Sequence, residues 1–358
     1  MKKLFVLLLA LVMVLALTSC GGTQPTTAGE TSTNGAEMTT AGEMTTAAPA
    51  AGDVKTGLAV VTSVSKSKDA GENDGLAQAD SIVVGVLVDA EGRILECVID
   101  AVQTKVNFDK AGKVVTAKDM VFGSKTDLGD AYGMKQASSI GKEWYQEAQA
   151  LADYVVGKTV EEVKGIAVDD KGVPTDADLA SSVTIKIGGF VDAIEKAVKN
   201  ATVLGAKAGD KLGIGTKTTI DKSADATAEK EGLVQAYSFY VLASFQGETV
   251  TSAIIDSTQA KVNFDTTGKI TSDLQATVAT KLELGDAYGM KQASKLGKEW
   301  NEQALAFAYY VSGKTVEEVK GTALSETGAP AGDDLNTTVS IKVKPLIETL
   351  VKAYEYQK

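Results

Sequence analysis

A serine hydroxyl, an aspartate carboxylate and a tyrosine ring recur at fixed spacing in a segment that the chain contains twice. The segment is LGDAYGMKQAS, and it occupies residues 128–138 and again residues 284–294. Its last residue is Ser138 in the first copy and Ser294 in the second. A hydroxyl can carry a phosphate ester, and an aromatic ring can form a wall against a planar ligand. These are residue types that a binding site for a planar ligand or a phosphate would use.

Each residue type in and beside the segment also has a purely structural interpretation. The glycines allow either a tight turn or the close approach of a ligand. The aspartate could cap a helix, bind a metal transiently or orient a hydroxyl, and the tyrosine and the following tryptophan could anchor the core or face a ligand. Both interpretations stay open. These candidate binding residues are Asp130, Tyr132, Gly133 and Trp144, with Asp286, Tyr288, Gly289 and Trp300 at the equivalent places.

The serine that ends the segment stands just before a helical pattern, where a helix N-cap is its structural interpretation. The next residue differs between the copies, Ser139 in one and Lys295 in the other, whereas Ser138 and Ser294 are the same. A phosphate on this hydroxyl would lie at a helix N-terminus, where free N–H groups and the helix dipole favour negative charge. The two interpretations of these serines, a helix N-cap and the attachment point of a phosphate, both stay open on the residues alone.

The composition excludes several classes of function. The chain has no histidine, and its 47 acidic residues against 36 basic ones give a formal net charge of −11. Without imidazole, a Ser-His-Asp hydrolase and a typical zinc enzyme are excluded, and the acidic charge argues against a nucleic-acid partner. Beyond residue 20 there is one cysteine, Cys97, which cannot form an internal disulfide. Any chemistry must therefore come from a group other than imidazole.

The repeated segment belongs to a much longer internal repeat. The same offset of 156 residues, from 128 to 284, aligns most of the chain without a gap. This pattern predicts a tandem duplication of one domain, with copies at residues 55–203 and 207–358, because the period is too long for a solenoid repeat. We expect each copy to have an independent core. The other matching stretches are KVNFD at 105–109 and 261–265, GKEW at 141–144 and 297–300, and GKTVEEVKG at 157–165 and 313–321.

The periodicity within each copy predicts strands first and helices afterwards. Residues 81–115 contain β-branched runs joined by turns at 89–92 and 109–112, which is typical of an antiparallel β meander. A capping box of Thr159 and Glu162 predicts a short helix. Longer helices are indicated by apolar positions on one face, which are Trp144, Ala148, Leu151, Ala152 and Val155 for the first and Ile187, Phe190, Val191, Ile194 and Val198 for the last. The predicted fold class is therefore α+β, with a β meander followed by helices in each copy.

The N-terminal part of the sequence predicts export and lipid attachment. Residues 1–19 have a positive start and an apolar run too short for a comfortable membrane span, which is typical of a signal peptide. The sequence LTSC at 17–20 resembles the lipobox of bacterial lipoproteins, in which the signal is cut before the cysteine, so Cys20 would carry the lipid. Residues 20–54, rich in Thr, Ala and Gly, predict a disordered tether. The alternative is an ordinary secretory signal with an incidental cysteine.

Asp130, Gly133 and the Ala-Ser pair that ends the segment resemble the attachment motif of FMN-binding domains. In that family a flavin transferase moves FMN from FAD onto a Ser or Thr through a phosphodiester bond. The family pattern is Asp, two residues, Ser or Thr, then Gly-Ala-Ser/Thr. Here three residues separate the glycine from the alanine, and the first hydroxyl is absent. With the lipobox and the Thr-rich tether, the two GDAYGMKQAS…GKEW segments resemble surface lipoproteins of the peptide pheromone lipoprotein A type of Gram-positive bacteria.

This resemblance implies one covalent FMN per domain, two in all, attached to Ser138 and Ser294. It implies an electron carrier, not an enzyme with a defined substrate, lipid-anchored at the extracellular face of the cytoplasmic membrane. The implied partners are a flavin transferase, a membrane quinone-linked electron donor and extracellular acceptors such as ferric iron. Flavin would supply the redox chemistry, and the protein would supply position and electrostatics.

Two other interpretations stay open. One is a ligand-binding or sensory surface lipoprotein, in which the repeated segment forms a non-covalent pocket. The other is a structural or adhesive surface protein, in which the segment is only a turn.

Overall fold

The computed structural model describes residues 53–332 and 334–358. The predicted signal peptide, Cys20 and nearly all of the predicted tether lie outside these residues, so those interpretations stay predictions. Val54, at the end of the predicted tether, is buried in a cluster that also contains Leu212 of the second half. The folded part therefore begins slightly before Lys55.

The first half of the chain supplies all four strands of an antiparallel sheet, and its helices follow the meander. In chain order the elements are β1 (Lys55–Ser63), β2 (Gly75–Val88), β3 (Ile94–Phe108), β4 (Val121–Phe122), α1 (Lys125–Leu128), α2 (Trp144–Val155), α3 (Val160–Lys164), α4 (Ala177–Ala180), α5 (Gly188–Lys199) and β5 (Thr202–Val203). The spatial order of the first sheet is β3-β2-β1-β5. A 3-10 turn, Gly129–Tyr132, follows α1 directly.

The second half has the same succession of long elements. They are β6 (Lys211–Thr219), β7 (Gly232–Gln246), β8 (Thr249–Phe264), α6 (Lys281–Leu284), α7 (Trp300–Val311), α8 (Val316–Lys320) and α9 (Lys344–Glu355), with 3-10 turns at Gly285–Tyr288 and Leu335–Thr337. The second sheet has the spatial order β4-β6-β7-β8 and is also antiparallel. The mixed composition of antiparallel sheets and helices agrees with the predicted fold class.

The predicted meander and helices are confirmed where they can be compared. The turn between β2 and β3 has Gly92 at a φ of +82°, and the Asp89 carboxylate accepts the Arg93 N–H at 2.7 Å. The capping box of Thr159 and Glu162 opens α3. The meander also includes β1, which the sequence analysis does not predict.

Each long strand is buried on both faces. In β2, Val84 and Val86 lie in a cluster with the helices α2 and α5, whereas Val83 and Leu87 lie in a cluster with the second sheet. Alternate residues of a strand point to opposite faces, so each sheet lies between its own helices and the other sheet. This four-layer arrangement explains why the second half of β2, residues 82–88, is apolar without interruption.

Two glycines let the helices approach the sheets closely. A Cβ on Gly57 of β1 would lie 2.1 Å from the carbonyl oxygen of Ala197 in α5. A Cβ on Gly213 of β6 would lie 1.9 Å from the carbonyl oxygen of Ala353 in α9. Since real Cβ atoms do not come so near to backbone, both strands need glycine at these positions.

The prediction of two independent cores is wrong. Two of the apolar clusters contain residues of both halves, and the rings of Phe108 and Phe264 stack in one of them with centroids 4.2 Å apart. The short strand β4 leaves the first half and pairs with β6 of the second sheet, while Val278 of the second half bridges to Thr62 of β1. The reason is that helices cover only one apolar face of each sheet, and the other sheet covers the remaining face.

The prediction of a gap-free repeat is also wrong at one strand. Gly75 of β2 pairs with Phe108, and Gly232 of β7 pairs with Phe264, so these strands correspond at an offset of 157 (75 to 232) and not 156. The extra residue lies in the loop before β7, and the hairpin from Gly232 to Phe264 is one residue shorter than the hairpin from Gly75 to Phe108. A shift of one residue in a strand moves every side chain to the opposite face, so the correct offset decides which residues are equivalent.

Candidate functional site

The repeated segment forms a tight turn between a short helix and a longer one. In the first copy, Gly129 and Gly133 have φ values of +50° and +78°, and in the second copy Gly285 and Gly289 have values of +48° and +76°. No protein atom lies closer than 4.0 Å to a Cβ built on Gly133, so the backbone conformation and not lack of room requires glycine there. The turn interpretation of these glycines is therefore correct.

The expectation that Ser138 and Ser294 are helix N-caps is wrong. The N-cap of α2 is Glu143, and the N-cap of α7 is Glu299, five residues after each serine. Each glutamate forms a capping box with the first turn of its helix. A carboxylate of the chain therefore stands at each helix N-terminus where a phosphate would have been held, and negative charge is what this position favours.

These two glutamates also fasten the repeated segment to the helix. The Glu143 carboxylate accepts the N–H groups of Met134 and Lys135 at 2.8 and 3.0 Å. The Glu299 carboxylate accepts the equivalent N–H groups of the second copy at 2.9 and 2.7 Å. Burial raises the pKa of Glu299, but the backbone N–H donors outweigh it and hold that pKa below its usual value. The shared stretch GKEW was the sequence signal for these residues.

A cavity of about 930 Å³ lies beside the segment of the second half. Three of the predicted site residues, Tyr288, Ser294 and Trp300, line it. Asp286 and Gly289 do not line it, and Asp286 is exposed to solvent. Its volume is in the range of small-molecule sites, about 300–1,000 Å³. The chemistry of its wall combines aromatic rings with cations, which are Tyr237, Tyr288 and Trp300 with Lys281, Lys295 and Lys342.

Lys281 is the functional candidate that the sequence analysis missed. Its ammonium nitrogen lies 4.6 Å from the ring centroid of Tyr237, 4.6 Å from that of Tyr288 and 4.8 Å from that of Trp300. It also donates to the Tyr237 hydroxyl at 2.6 Å. Burial lowers the pKa of Lys281 to about 7, although the nearby negative charge of Asp256 acts to raise it. A lysine in this environment changes charge near neutral pH.

The equivalent lysine of the first half, Lys125, has a similar but more open environment. Its nitrogen lies 4.6 Å from the ring centroid of Tyr132 and 4.7 Å from that of Trp144. The strand offset of 157 places Asp80, and not a third aromatic ring, where the second half has Tyr237. The presence of a lysine at 125 and at 281 was a sequence signal that could have found both.

Both tryptophans belong to the core as well as to the site. Trp144 and Trp300 are each 3% exposed and lie in the cluster between the sheet and the helices of their own half. Trp300 also forms part of the cavity wall. The core interpretation of both tryptophans is therefore correct, and in the second half Trp300 also borders the cavity.

Asp130, the predicted aspartate of the first half, has a tyrosine hydroxyl as its partner. Asp130 accepts a hydrogen bond from the Tyr145 hydroxyl at 3.1 Å and is exposed. Residue 301, an asparagine, stands where the first half has Tyr145. The structure therefore does not bring Asp130 to the hydroxyl of Ser138, as an orienting role would require.

The two serines do have close polar partners, which differ between the halves. The Ser138 hydroxyl donates to the carboxylate of Glu147 at 2.8 Å. The Ser294 hydroxyl oxygen accepts from the side-chain amide of Gln303 at 3.1 Å. Both serines are partly exposed, whereas Glu147 and Gln303 are fully buried. The sequence analysis named neither partner.

Two buried aspartates fix the short helices that carry the lysines. The Asp100 carboxylate of β3 accepts the N–H of Thr126 in α1 at 3.2 Å, and the Asp256 carboxylate of β8 accepts the N–H of Leu282 in α6 at 3.1 Å. Burial raises the pKa of each aspartate to about 6, although hydrogen bonds to each carboxyl act to lower it. In each half, the short helix that carries the lysine is therefore attached to a strand by a buried carboxyl group whose ionisation is unfavourable.

In the part of the chain that the structure describes, no group of three or more acidic, cysteine or histidine side chains is arranged to bind a metal ion. Within the same residues, none of the helices combines the length and apolarity needed to cross a bilayer.

Comparison with known proteins gives one short match. No protein family matches the chain, and no solved structure matches it. Chlorophenol reductase of Desulfitobacterium hafniense is 56% identical over 41 residues, which are 12% of this chain and 12% of that protein. The chain therefore matches only a small part of the length of this relative, and the match shows no family.

Proposed function

We propose that the protein is a lipid-anchored electron carrier at the extracellular face of the cytoplasmic membrane, with one FMN attached to each of Ser138 and Ser294 through a phosphodiester bond. A flavin transferase would attach the FMN, a quinone-linked membrane donor would reduce it, and extracellular acceptors such as ferric iron would oxidise it. The observation that carries the proposal is the position of Ser294, whose hydroxyl lies on the wall of a cavity with both aromatic and cationic residues.

The residues of this cavity fit the two parts of FMN. The partly exposed rings of Tyr237 and Tyr288 offer apolar surface for an isoalloxazine ring, and the nearly buried Trp300 completes this part of the wall. Lys295 and Lys342 offer positive charge for the phosphate that an ester at Ser294 would place there. Bound flavin would supply the redox chemistry, and these side chains would bind it and orient it.

The helix N-terminus no longer supports the proposal, because Glu143 and Glu299 occupy it. The support that remains is the serine, the aromatic wall and the lysines. The name of this relative denotes a redox protein, which is compatible with electron transfer. Its 41 shared residues are too few to transfer any activity to this chain.

We also propose that the two halves arose by tandem duplication. Besides the repeated sequence, contacts between the halves are reciprocal. The Ala70 N–H donates to the Gly268 carbonyl at 2.8 Å, and the equivalent Ala226 N–H donates to the Gly112 carbonyl at 2.7 Å. Lys352 pairs with Asp127 across the halves, and the equivalent Lys196 pairs with Glu283. Reciprocal contacts of this kind are typical of two copies related by a two-fold axis.

Mass spectrometry of protein produced together with a flavin transferase tests the flavin. We expect the whole protein to have the mass of two FMN groups, Ser138→Ala to have one, and the double variant with Ser294→Ala to have none. Ser139→Ala is the matched control, since this neighbouring hydroxyl has no equivalent in the second half, and it should keep both. Reduction of ferric iron by the prereduced protein should be lost together with the flavin.

The same experiment distinguishes the alternatives. An FMN mass on another residue would make the site assignment wrong. Flavin that is released when the protein is denatured would support a non-covalent binding protein, for which the cavity is also suited. Protein without any flavin, from cells that contain the transferase, would exclude the proposed function.

A further inference from the structure

We propose that Glu147 is a catalytic residue for the modification of Ser138, because it accepts the proton of the attacking hydroxyl. Gln303 cannot do this for Ser294, so the two serines are modified at different rates and Ser138 is modified first. This inference rests on the proposed function, since it concerns how each serine acquires its flavin phosphate.

The carboxylate of Glu147 is held with one oxygen on the serine. This side chain is 0% exposed. Its second oxygen accepts the N–H of Thr184 at 2.6 Å and the N–H of Ile185 at 3.0 Å. The first oxygen accepts the Ser138 hydroxyl at 2.8 Å, which is the distance that a general base needs from the proton it removes.

Gln303 has equivalent surroundings, but it donates a hydrogen bond to its serine, whereas Glu147 accepts one. Its side-chain oxygen accepts the N–H groups of Ser340 and Ile341 at 2.7 and 3.1 Å. Those two donors fix the orientation of the amide, since a flip would turn its NH₂ group toward them. The NH₂ group must therefore face Ser294, where it donates to the hydroxyl oxygen at 3.1 Å.

The comparison separates the structural role from the chemical role. Each side chain connects its serine to the equivalent loop of its own half, through two backbone N–H groups and one hydroxyl. Gln303 shows that an amide is sufficient for this connection. A carboxylate can in addition accept a proton, and only the first half has a carboxylate, Glu147, at this position.

The step balances as a phosphoryl-type transfer without a change in oxidation state. The Ser138 oxygen forms a bond to the FMN phosphorus of FAD, and the bond from that phosphorus to the AMP oxygen breaks. The hydroxyl proton passes to Glu147, and AMP leaves. At Ser294 the proton has no carboxylate to accept it, and the amide occupies a lone pair of the attacking oxygen.

A reciprocal exchange of the two partners tests the inference. The full chain, as wild type, Glu147→Gln or Gln303→Glu, is incubated with transferase, Mg²⁺ and FAD, and FMN on the two serine peptides is followed over time by mass spectrometry. The ratio of the two rates within one molecule cancels differences in transferase activity. Thermal unfolding checks that each variant is folded. Each substitution introduces the residue that is found at the equivalent position of the other half.

We expect Ser138 to be modified faster than Ser294 in the wild type. Glu147→Gln should slow the modification of Ser138 by about 100-fold, the lower range for a general base, and leave the rate at Ser294 unchanged. Gln303→Glu should accelerate the modification of Ser294. Equal rates at both serines that neither exchange alters would overturn the inference and leave the proposed function intact. No FMN on either serine would overturn both.

Discussion

Lys281 and Lys125 occupy equivalent positions beside a tyrosine and a tryptophan, but their burial differs. Lys281 is 2% exposed and lies against a third ring, that of Tyr237, whereas Lys125 is only partly buried. A buried ammonium loses its hydration, which favours the neutral amine. The stability of the second site should therefore depend on pH through this one residue.

Replacement of Lys281 by Met should remove a pH dependence of the unfolding free energy. The folded-state pKa of about 7 lies below the ordinary value of 10.5. Between these two values the unfolded chain binds more protons, so the wild type gains stability as pH rises from about 7 to about 10. The gain is at most about 5 kcal/mol, and Lys281→Met should lack it. Urea unfolding at pH 7 and pH 10 measures the difference.

The control for this change is Lys125→Met. It removes the same contacts with a tyrosine and a tryptophan from a lysine that is only partly buried. A difference between the two variants isolates the effect of burial. If Lys281→Met retains the full pH dependence of the wild type, the lysine is not the group responsible.

At the scale of elements, each site depends on a helix of one turn that could not be stable alone. The helix α1 is fixed by its capping residue Ser124, by Asp127 and by the buried Asp100 of β3. The helix α6 has the equivalent arrangement with Asp256. The strands therefore position the lysines through carboxyl groups whose ionisation is unfavourable.

Replacement of Asp100 by Asn should stabilise the protein at neutral pH. The oxygen that accepts the N–H groups of Ala101 and Thr126 is kept in asparagine, whereas the buried charge is removed. The folded-state pKa of about 6 lies above the ordinary value of 3.8, so the folded wild type binds more protons between them and loses stability as pH rises from about 4 to about 6. The gain for the variant at pH 7 is at most about 3 kcal/mol.

Urea unfolding of Asp100→Asn at pH 4 and pH 7 measures this effect. The variant should show a smaller loss of stability between these pH values than the wild type. Lower stability of the variant at pH 7 would mean that the carboxylate makes a favourable contact that asparagine cannot replace.

At the scale of the whole molecule, the two halves are joined by their apolar sheet faces and not only by the chain. Phe108 and Phe264 meet at the centre, and β4 extends the sheet of the other half. The arrangement resembles a symmetric dimer in which one chain supplies both partners. The site in each half is therefore built on a sheet whose second face needs the other half.

The fragment 207–358 should not form a stable monomer by itself. Without the first half it exposes Leu212, Tyr240 and Phe264, and its strand β6 loses the partner β4. We expect this fragment to associate or to unfold without a cooperative transition, and to form a one-to-one complex when it is refolded with residues 53–206. Light scattering and urea unfolding measure both. A monomeric fragment with the same urea midpoint as the whole chain would contradict the shared core.

Many features of the site were predictable because they depend on local chemistry. The glycines of LGDAYGMKQAS indicated a turn, and the turn has positive φ at Gly133 and Gly289. The N-cap was placed wrongly because a serine and a glutamate can both cap a helix, and only the chain path decides that Glu143 does so. Glu147 was missed because on a helical pattern it is simply a charged residue between apolar ones.

The sequence by itself determined the hairpin of β2 and β3 and the helices α2, α3 and α5, because period, turn residues and capping boxes act over a few residues. It also determined the repeat and the absence of imidazole chemistry. Only the tertiary structure decided that the two sheets share cores, that β2 and β7 differ by one residue in register, and that Lys281 is enclosed by three rings. These features depend on which distant surfaces pack together. The hydrophobic effect is non-directional, so a local sequence pattern shows that a face is buried but not what buries it.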